Sequence, residues 1–294
     1  MSVSKLPQFI IIGSMKSATS TLQEQLAQQP GIYMCSPKEP NFFSDDCQFA
    51  KGIGWYSNLF SMAPSGSLLG EASTHYTKLP TYPHSAERLK KYLPNARFIY
   101  VLRHPIDRLI SHYIHGWSMG DFKCSLEDAV QSYSELIDYG QYAMQLEPYF
   151  ELFGRERVLP VFFDRLIQNS QTELERICEF IGYYKKPHWN NSEIASNVSS
   201  ERVRRFPLYK LIVESSVATT FRRTFVPKRW RNVVKAKFSM GQRPVLTNDT
   251  IKKISLIFDK DLNFLGSELD VELNCSNFKE VTVANSLNWK NKND

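Results

Sequence analysis

The sequence has few features of a disulfide-bonded, metal-binding or membrane-spanning protein. Its five cysteines are odd in number and widely spaced, with no CxxC pair or Cys/His cluster, which argues against a disulfide framework and a zinc site. No stretch approaches the roughly 20 apolar residues that span a bilayer. The first apolar run, Phe9–Ile12, is too short for the core of a signal peptide. These absences, together with reduced thiols, predict a soluble, cytoplasmic protein.

The composition is that of a folded protein with an uneven distribution of charge. Of 294 residues, 42% are hydrophobic and 13% aromatic, which excludes a disordered chain. The formal net charge is +6, yet residues 201–243 alone hold twelve lysines and arginines against two glutamates. This segment is either a solvated basic surface or a surface for a polyanion, a phosphate-bearing ligand or an anionic membrane.

Short β-branched runs alternate with helical patterns along the first 180 residues, which predicts an α/β fold with a mainly parallel central sheet flanked by helices. The predicted strands are residues 8–13, 31–34, 68–73, 97–102 and 158–163. The predicted helices are 19–28, 83–92, one from 105, two within 126–153, 172–181 and 248–265. We expect a single domain, 1–294, in which residues 183–245 form irregular basic loops on the ligand side.

The segment Gly13–Leu22 follows the first strand and precedes the first helix. A glycine, a lysine and small hydroxyl residues at such a turn favour anion binding, because backbone N–H groups and the helix dipole point at the ligand. Loops that bind ATP or GTP end in Gly-Lys-Ser/Thr, and that ending is absent here. Lys16 instead comes three residues after Gly13, which indicates a different phosphorylated ligand.

A second basic loop follows the strand 97–102. Arg103 comes directly after that strand, and Ser111 lies eight residues later on the helix from Pro105. An arginine and a serine hydroxyl can together bind one phosphate. Because ligands of parallel sheets bind at the carboxyl ends of the strands, this loop and the Lys16 loop are expected at the same edge.

Together these loops resemble the sulfotransferase superfamily that uses 3′-phosphoadenosine 5′-phosphosulfate (PAPS), with its P-loop-NTPase-like fold. The resemblance implies that PAPS is the co-substrate and adenosine 3′,5′-bisphosphate the product. It assigns the 5′-phosphosulfate to Lys16, Ser17, Ala18, Thr19, Ser20 and Thr21, the 3′-phosphate to Arg103 and Ser111, and a further phosphate contact to Arg202 or Arg204. The segments 38–43, 54–56 and 70–73 are similar to the glycan (heparan-type) branch, and the segments 140–142 and 161–166 are similar to the middle region of the superfamily.

The resemblance also implies catalytic roles. Lys16 would stabilise the departing phosphate, and Glu39, which precedes Phe42-Phe43, would be the base; His75 is the alternative base, as in small-molecule sulfotransferases. Sulfuryl transfer needs no metal, and we expect none. Two positions depart from the branch: Asn41 stands where a histidine is common, and Ala72 stands where a lysine follows the strand glutamate.

The implied function is in-line transfer of a sulfuryl group to a hydroxyl of a carbohydrate or glycolipid. Three alternatives stay open: a sulfotransferase for a small phenol, alcohol or amine with a histidine base, a P-loop kinase, and a non-catalytic polyanion-binding protein. The basic segment 201–243 lacks the aromatic interleaving of single-strand binders, so we do not expect a nucleic-acid partner. It also lacks the amphipathic pattern of an interfacial helix, although peripheral contact with an anionic membrane or polyanion stays open.

Overall fold

Among the residues that the structure describes, five parallel strands form one central sheet in the order β2-β3-β1-β4-β5. The computed structural model describes residues 5–191, 240 and 242–290. The strands are β1 (Phe9–Gly13), β2 (Ile32–Met34), β3 (Leu68–Ala72), β4 (Arg97–Leu102) and β5 (Val158–Phe162). The predicted α/β class and parallel sheet are therefore confirmed, and β1 takes the central position with β3 and β4 as its neighbours.

Helices connect the strands and cover the sheet. Those before β5 are α1 (Thr19–Ala27), α2 (Asp46–Phe49), α3 (Gly52–Asn58), α4 (Ser85–Tyr92), α5 (Pro105–Met119), α6 (Leu126–Ser132), α7 (Glu135–Asp138) and α8 (Tyr142–Phe153). Those after it are α9 (Phe163–Gln168), α10 (Ser170–Ile181), α11 (Asn248–Leu269) and α12 (Phe278–Ala284). Short 3-10 turns occupy Thr74–Thr77 and Arg155–Arg157.

Alternate residues of the central strands enter two separate hydrophobic clusters. Ile10 and Ile12 of β1 pack on one face of the sheet, whereas Phe9 and Ile11 pack on the other. All four side chains are fully buried. Because side chains alternate along a strand, a run without polar residues predicts a strand that is covered on both faces, as β1 is.

The last helix, α12, was not predicted from the sequence. Its residues Val281, Thr282 and Val283 are β-branched and disfavour an isolated helix. Tertiary contacts hold it instead: Phe278 is fully buried, and Arg165 Nη1 donates a hydrogen bond to Val283 O at 2.9 Å. The long helix α11 also runs four residues beyond its predicted end.

Part of the predicted basic region lies outside the described residues. This applies to Arg202 and Arg204, to most of the basic segment 201–243, and to most of the range 183–245. The single-domain assignment of 1–294 therefore stays a prediction. None of the helices that the structure describes has the length and apolar composition needed to cross a membrane.

Gly70 in β3 provides a test of the sheet packing. A Cβ atom at this position would overlap the Phe9 ring and lie 2.6 Å from Met34 Sδ. We expect Gly70→Ala to lower the free energy of unfolding by about 1–3 kcal/mol, because the crowded β1–β3 face must shift. The control is Gly54→Ala in α3, where a Cβ meets no atom within 4 Å. Denaturant titration of both variants measures the difference, and equal midpoints would contradict the packing described here.

Candidate functional site

The loop between β1 and α1 is fixed to the neighbouring strand β4. Ser14 donates two hydrogen bonds to Val101 O, from its backbone N–H at 2.9 Å and from Oγ at 2.8 Å. Ser17 Oγ lies 2.7 Å from Ser14 Oγ and is fully buried. The Ser17 side chain therefore holds the loop through Ser14. The loop backbone is left-handed at Lys16 (φ 72°) and at Ala18 (φ 64°).

Helix α1 begins without a side chain that caps its N–H groups. Its N-cap residue is Ala18, and its first turn, which contains Thr19, Ser20 and Thr21, holds no acidic residue. The N-terminal N–H groups of a helix carry a partial positive charge that a side-chain oxygen usually satisfies. Without such an oxygen, this terminus and Lys16 form a suitable cradle for an anion.

Gly13 permits a close approach between this loop and the 3-10 turn Thr74–Thr77. A Cβ on Gly13 would overlap Thr77 Oγ1 and lie 2.6 Å from Tyr100 Cε2. Thr77 Oγ1 instead donates a hydrogen bond of 2.6 Å to Ile12 O. The residues that follow β3 are thereby held beside the end of β1.

Arg103 joins the second basic loop to the first. Its Nη1 donates a hydrogen bond of 2.9 Å to Lys16 O, and its guanidinium carbon lies 4.5 Å from the centre of the Phe163 ring. Tyr142 Oη donates a hydrogen bond of 2.5 Å to Arg103 O, which fixes the backbone at the end of β4. Ser111 is half-buried in the second turn of α5, and the described contacts do not connect its side chain to the Lys16 loop.

Glu39 is connected to the first turn of α1 through Lys38. The Lys38 ammonium donates to Ser20 Oγ at 2.8 Å and to Glu39 Oε1 at 3.2 Å. Thr74 Oγ1 donates to the same carboxylate oxygen at 3.2 Å. The backbone is left-handed at Glu39 (φ 54°), and its N–H donates to Ala72 O at 3.0 Å. The start of α1 and the Glu39 loop, which the sequence analysis treated separately, are therefore connected by hydrogen bonds.

The positive charges around Glu39 keep its side chain ionised. Burial favours the neutral acid, but the ammonium groups of Lys38 and Lys78 outweigh this effect and hold the pKa of Glu39 below its ordinary value. Glu39 is thus a carboxylate at neutral pH and can accept a proton.

His75, the alternative base, is neutral at the same pH. Burial and the nearby Lys78 ammonium lower its pKa to about 4. Its ring stacks on Tyr82 at a centroid distance of 4.6 Å, and its buried Nδ1 has no hydrogen-bond partner among the described residues. A neutral imidazole can also accept a proton, so both predicted bases have a suitable protonation state.

Sequence reasoning missed the roles of Lys38, Thr74 and Lys78. Lys38 belongs to the motif that contains Glu39, but the motif does not show that its ammonium reaches α1. Thr74 and Lys78 lie close to His75 in the sequence, but neither belongs to a motif that predicts a functional role. Among the described residues, no group of three or more His, Cys, Asp and Glu side chains is arranged to hold a metal ion.

Comparison with known proteins identifies relatives of this chain. Residues 6–266 match the family described as "Sulfotransferase domain". Human "Heparan sulfate glucosamine 3-O-sulfotransferase 3B1" is 30% identical over 187 residues, which cover 60% of this chain and 46% of that protein. "Membrane-associated sulfotransferase kil1" of Dictyostelium discoideum is 40% identical over 111 residues, covering 37% of this chain and 22% of that protein.

The fold is shared with a solved bacterial structure. The sulfotransferase from Alicyclobacillus acidocaldarius superposes with a TM-score of 0.64 at 23% sequence identity, covering 92% of this chain and 98% of that one. This likeness confirms the predicted fold. The chain spans about half the length of the heparan sulfate relatives that it matches.

Replacing Lys38 tests the electrostatic description of Glu39. We expect Lys38→Met to raise the pKa of Glu39, because the largest opposing charge is lost while burial continues to favour the neutral acid. Carboxyl ¹³C NMR of glutamate-labelled protein measures the titration. Lys51→Met is the control, since that ammonium bonds Gln48 Oε1 at 2.7 Å rather than Glu39. An unchanged Glu39 titration in Lys38→Met would contradict the assignment.

Proposed function

Because the chain belongs to the sulfotransferase domain family, we propose that it transfers a sulfuryl group from PAPS to a hydroxyl group of a carbohydrate or glycolipid. The observation that carries this proposal is the Lys38 ammonium, which bonds both Ser20 in the first turn of α1 and the Glu39 carboxylate. One cation thereby connects the elements proposed to bind the donor with the group proposed to activate the acceptor.

The donor is proposed to bind along the carboxyl ends of β1 and β4. The uncapped start of α1, Lys16 and the hydroxyl of Thr21 would hold the 5′-phosphosulfate. Arg103 and Ser111 would hold the 3′-phosphate, and the hydrogen bond from Arg103 to Lys16 O supports a common ligand for the two loops. An arginine fork suits a phosphate because several N–H groups can bond its oxygens at once.

The proposed reaction is a single in-line displacement at sulfur. The acceptor hydroxyl oxygen attacks sulfur, and a new O–S bond forms while the bond from sulfur to the 5′-phosphate oxygen breaks. The electron pair of that bond stays on the phosphate oxygen, where the positive charge of Lys16 stabilises it. The hydroxyl proton passes to the Glu39 carboxylate, which leaves a sulfated acceptor and adenosine 3′,5′-bisphosphate.

The proposed acceptor class follows from the relatives and from the type of base. Several relatives are named as heparan sulfate sulfotransferases, which favours a carbohydrate acceptor. Those named as 3-O-sulfotransferases favour a sugar hydroxyl. The neutral His75 with its unpartnered Nδ1 favours the second candidate, a sulfotransferase for small phenols, alcohols or amines. We further propose that the enzyme acts in the cytoplasm.

Two substitutions distinguish the candidate bases. We expect Glu39→Gln to lower kcat by about 10²–10⁴-fold, the usual contribution of a general base, and His75→Ala to lower it much less. Transfer of labelled sulfate from PAPS to a panel of glycans, glycolipids and phenols measures both rates. Equal binding of adenosine 3′,5′-bisphosphate by both variants provides the control for folding. Full activity of Glu39→Gln together with loss of activity in His75→Ala would establish the histidine candidate instead.

Replacing Arg103 tests the proposed donor site by nucleotide binding, with no acceptor present. We expect adenosine 3′,5′-bisphosphate to raise Tm in the absence of magnesium, and Arg103→Ala to weaken its binding by roughly 10- to 100-fold, the effect of losing one hydrogen bond to a charged group. Arg157→Ala is the matched control, because that side chain bonds Asn95 O at the amino end of β5. Stabilisation by ATP with magnesium alone would point to a P-loop kinase and overturn the proposal.

A further inference from the structure

The long helix α11 carries large apolar side chains on its solvent side. Leu256 is 75% exposed, Phe264 52% and Ile257 41%. The opposite side of the helix packs on the rest of the protein, where Phe258 and Leu262 are fully buried. None of the three exposed side chains belongs to the hydrophobic clusters that the described residues form. The packing of α11 therefore does not account for them.

Lysines alternate with these apolar residues along the same side of the helix. Residues three and four positions apart lie on one side of an α-helix, so Lys260 lies one turn from Leu256 and one turn from Phe264. The distance along the helix from Leu256 to Phe264 is about 12 Å. The exposed residues at this spacing form the outer face of α11: Lys252, Lys253, Leu256, Ile257, Lys260, Asn263, Phe264 and Ser267.

The outer face has an excess of positive charge. It contains three lysines and no acidic residue, and Asp249 is exposed on the same side in the first turn. The other acidic groups at its borders already have partners. Asp259 accepts a hydrogen bond of 2.7 Å from Cys275 N, and Glu268 forms an ion pair with Arg155. A partner that fits this face is therefore both anionic and apolar.

We propose that the outer face of α11 binds the surface of an anionic lipid membrane. The negatively charged headgroups complement Lys252, Lys253 and Lys260, and the adjoining acyl region takes up Leu256 and Phe264. Lysine suits such a position because its methylene groups can lie along apolar groups while the ammonium reaches the headgroups. The contact is peripheral, and it does not rest on the proposed function because the residues proposed to bind the donor or act as the base lie outside α11.

Other occupants fit this face less well. A second copy of the chain in a two-fold contact would bring the same three lysines against each other. A nucleic acid or a sulfated glycan would pair with the lysines but would leave Leu256 and Phe264 without apolar contacts. The segment 201–243, with twelve lysines and arginines against two glutamates, has the same sign of charge as this face.

Sedimentation with lipid vesicles tests the inference without any enzyme assay. We expect the full chain to bind vesicles of phosphatidylcholine with phosphatidylserine, and to bind phosphatidylcholine alone much more weakly. Phe264→Gln is expected to weaken binding about tenfold through the loss of buried apolar area, and Lys260→Gln about fivefold through the loss of one headgroup contact. Tyr184→Gln is the control, because Tyr184 is 98% exposed and follows α10, which packs on the opposite face of the sheet from α11.

Three results would overturn the inference. The first is a wild-type chain that does not bind the phosphatidylserine vesicles. The second is unchanged binding in Phe264→Gln and Leu256→Gln, since contact through a purely basic surface elsewhere does not depend on these apolar residues. The third is a wild-type dimer in analytical ultracentrifugation that Phe264→Gln converts to a monomer, which would assign the face to a second copy. Leu256→Gln gives the same test if Phe264→Gln fails to fold.

Discussion

The close packing around Gly13 is the constraint on which the rest of the site depends. The strand β1 ends there between two neighbours, and the missing side chain leaves room for Thr77 on one side and Tyr100 on the other. A bulkier residue would push the 3-10 turn away from the loop between β1 and α1. Because Thr74, His75 and Lys78 all lie on or directly after that turn, their distance from the end of β1 follows from this one position.

The electrostatics of the site follow from the same arrangement. Lys16 and Arg103 lie at the carboxyl ends of β1 and β4, and Arg103 donates a hydrogen bond to Lys16 O. The ammonium groups of Lys38 and Lys78 act on the Glu39 carboxylate, which Lys38 also hydrogen-bonds. An excess of positive charge of this kind attracts a multiply charged anion and stabilises the negative charge that develops on a leaving phosphate. It also depresses the pKa of the base, so that the proposed base is ready to accept a proton but is intrinsically weak. Sulfuryl transfer tolerates such a base where the leaving group, rather than the attacking hydroxyl, carries most of the developing charge.

The sequence predicts the parts of the site that depend on local residue patterns. It does not predict the hydrogen bonds that side chains make between distant elements. The strand Arg97–Leu102 was predicted with its observed ends, because β-branched and aromatic residues fill it and Arg103-His104-Pro105 terminates it. The contact between Arg103 and Lys16 follows from the rule that parallel strands present their carboxyl ends at one edge. In contrast, no spacing rule shows that Ser17 turns inward to Ser14, or that Lys38 extends to Ser20. Those contacts depend on side-chain conformation, and a sequence pattern does not give the distance between two side-chain atoms.

The two candidate bases differ in how they are connected to the donor site, and this difference favours Glu39. The Lys38 ammonium bonds both the Glu39 carboxylate and Ser20 Oγ. A change in charge near α1 therefore affects Glu39 through this one side chain. His75 packs against Tyr82, and its Nδ1 is buried without a partner, which leaves no described contact between its ring and α1. Protonation of His75 during a reaction would also place a new positive charge close to Lys78, whose ammonium already lowers the pKa of this imidazole. Protonation of Glu39 instead gives a neutral acid, which is the form that burial of this side chain favours.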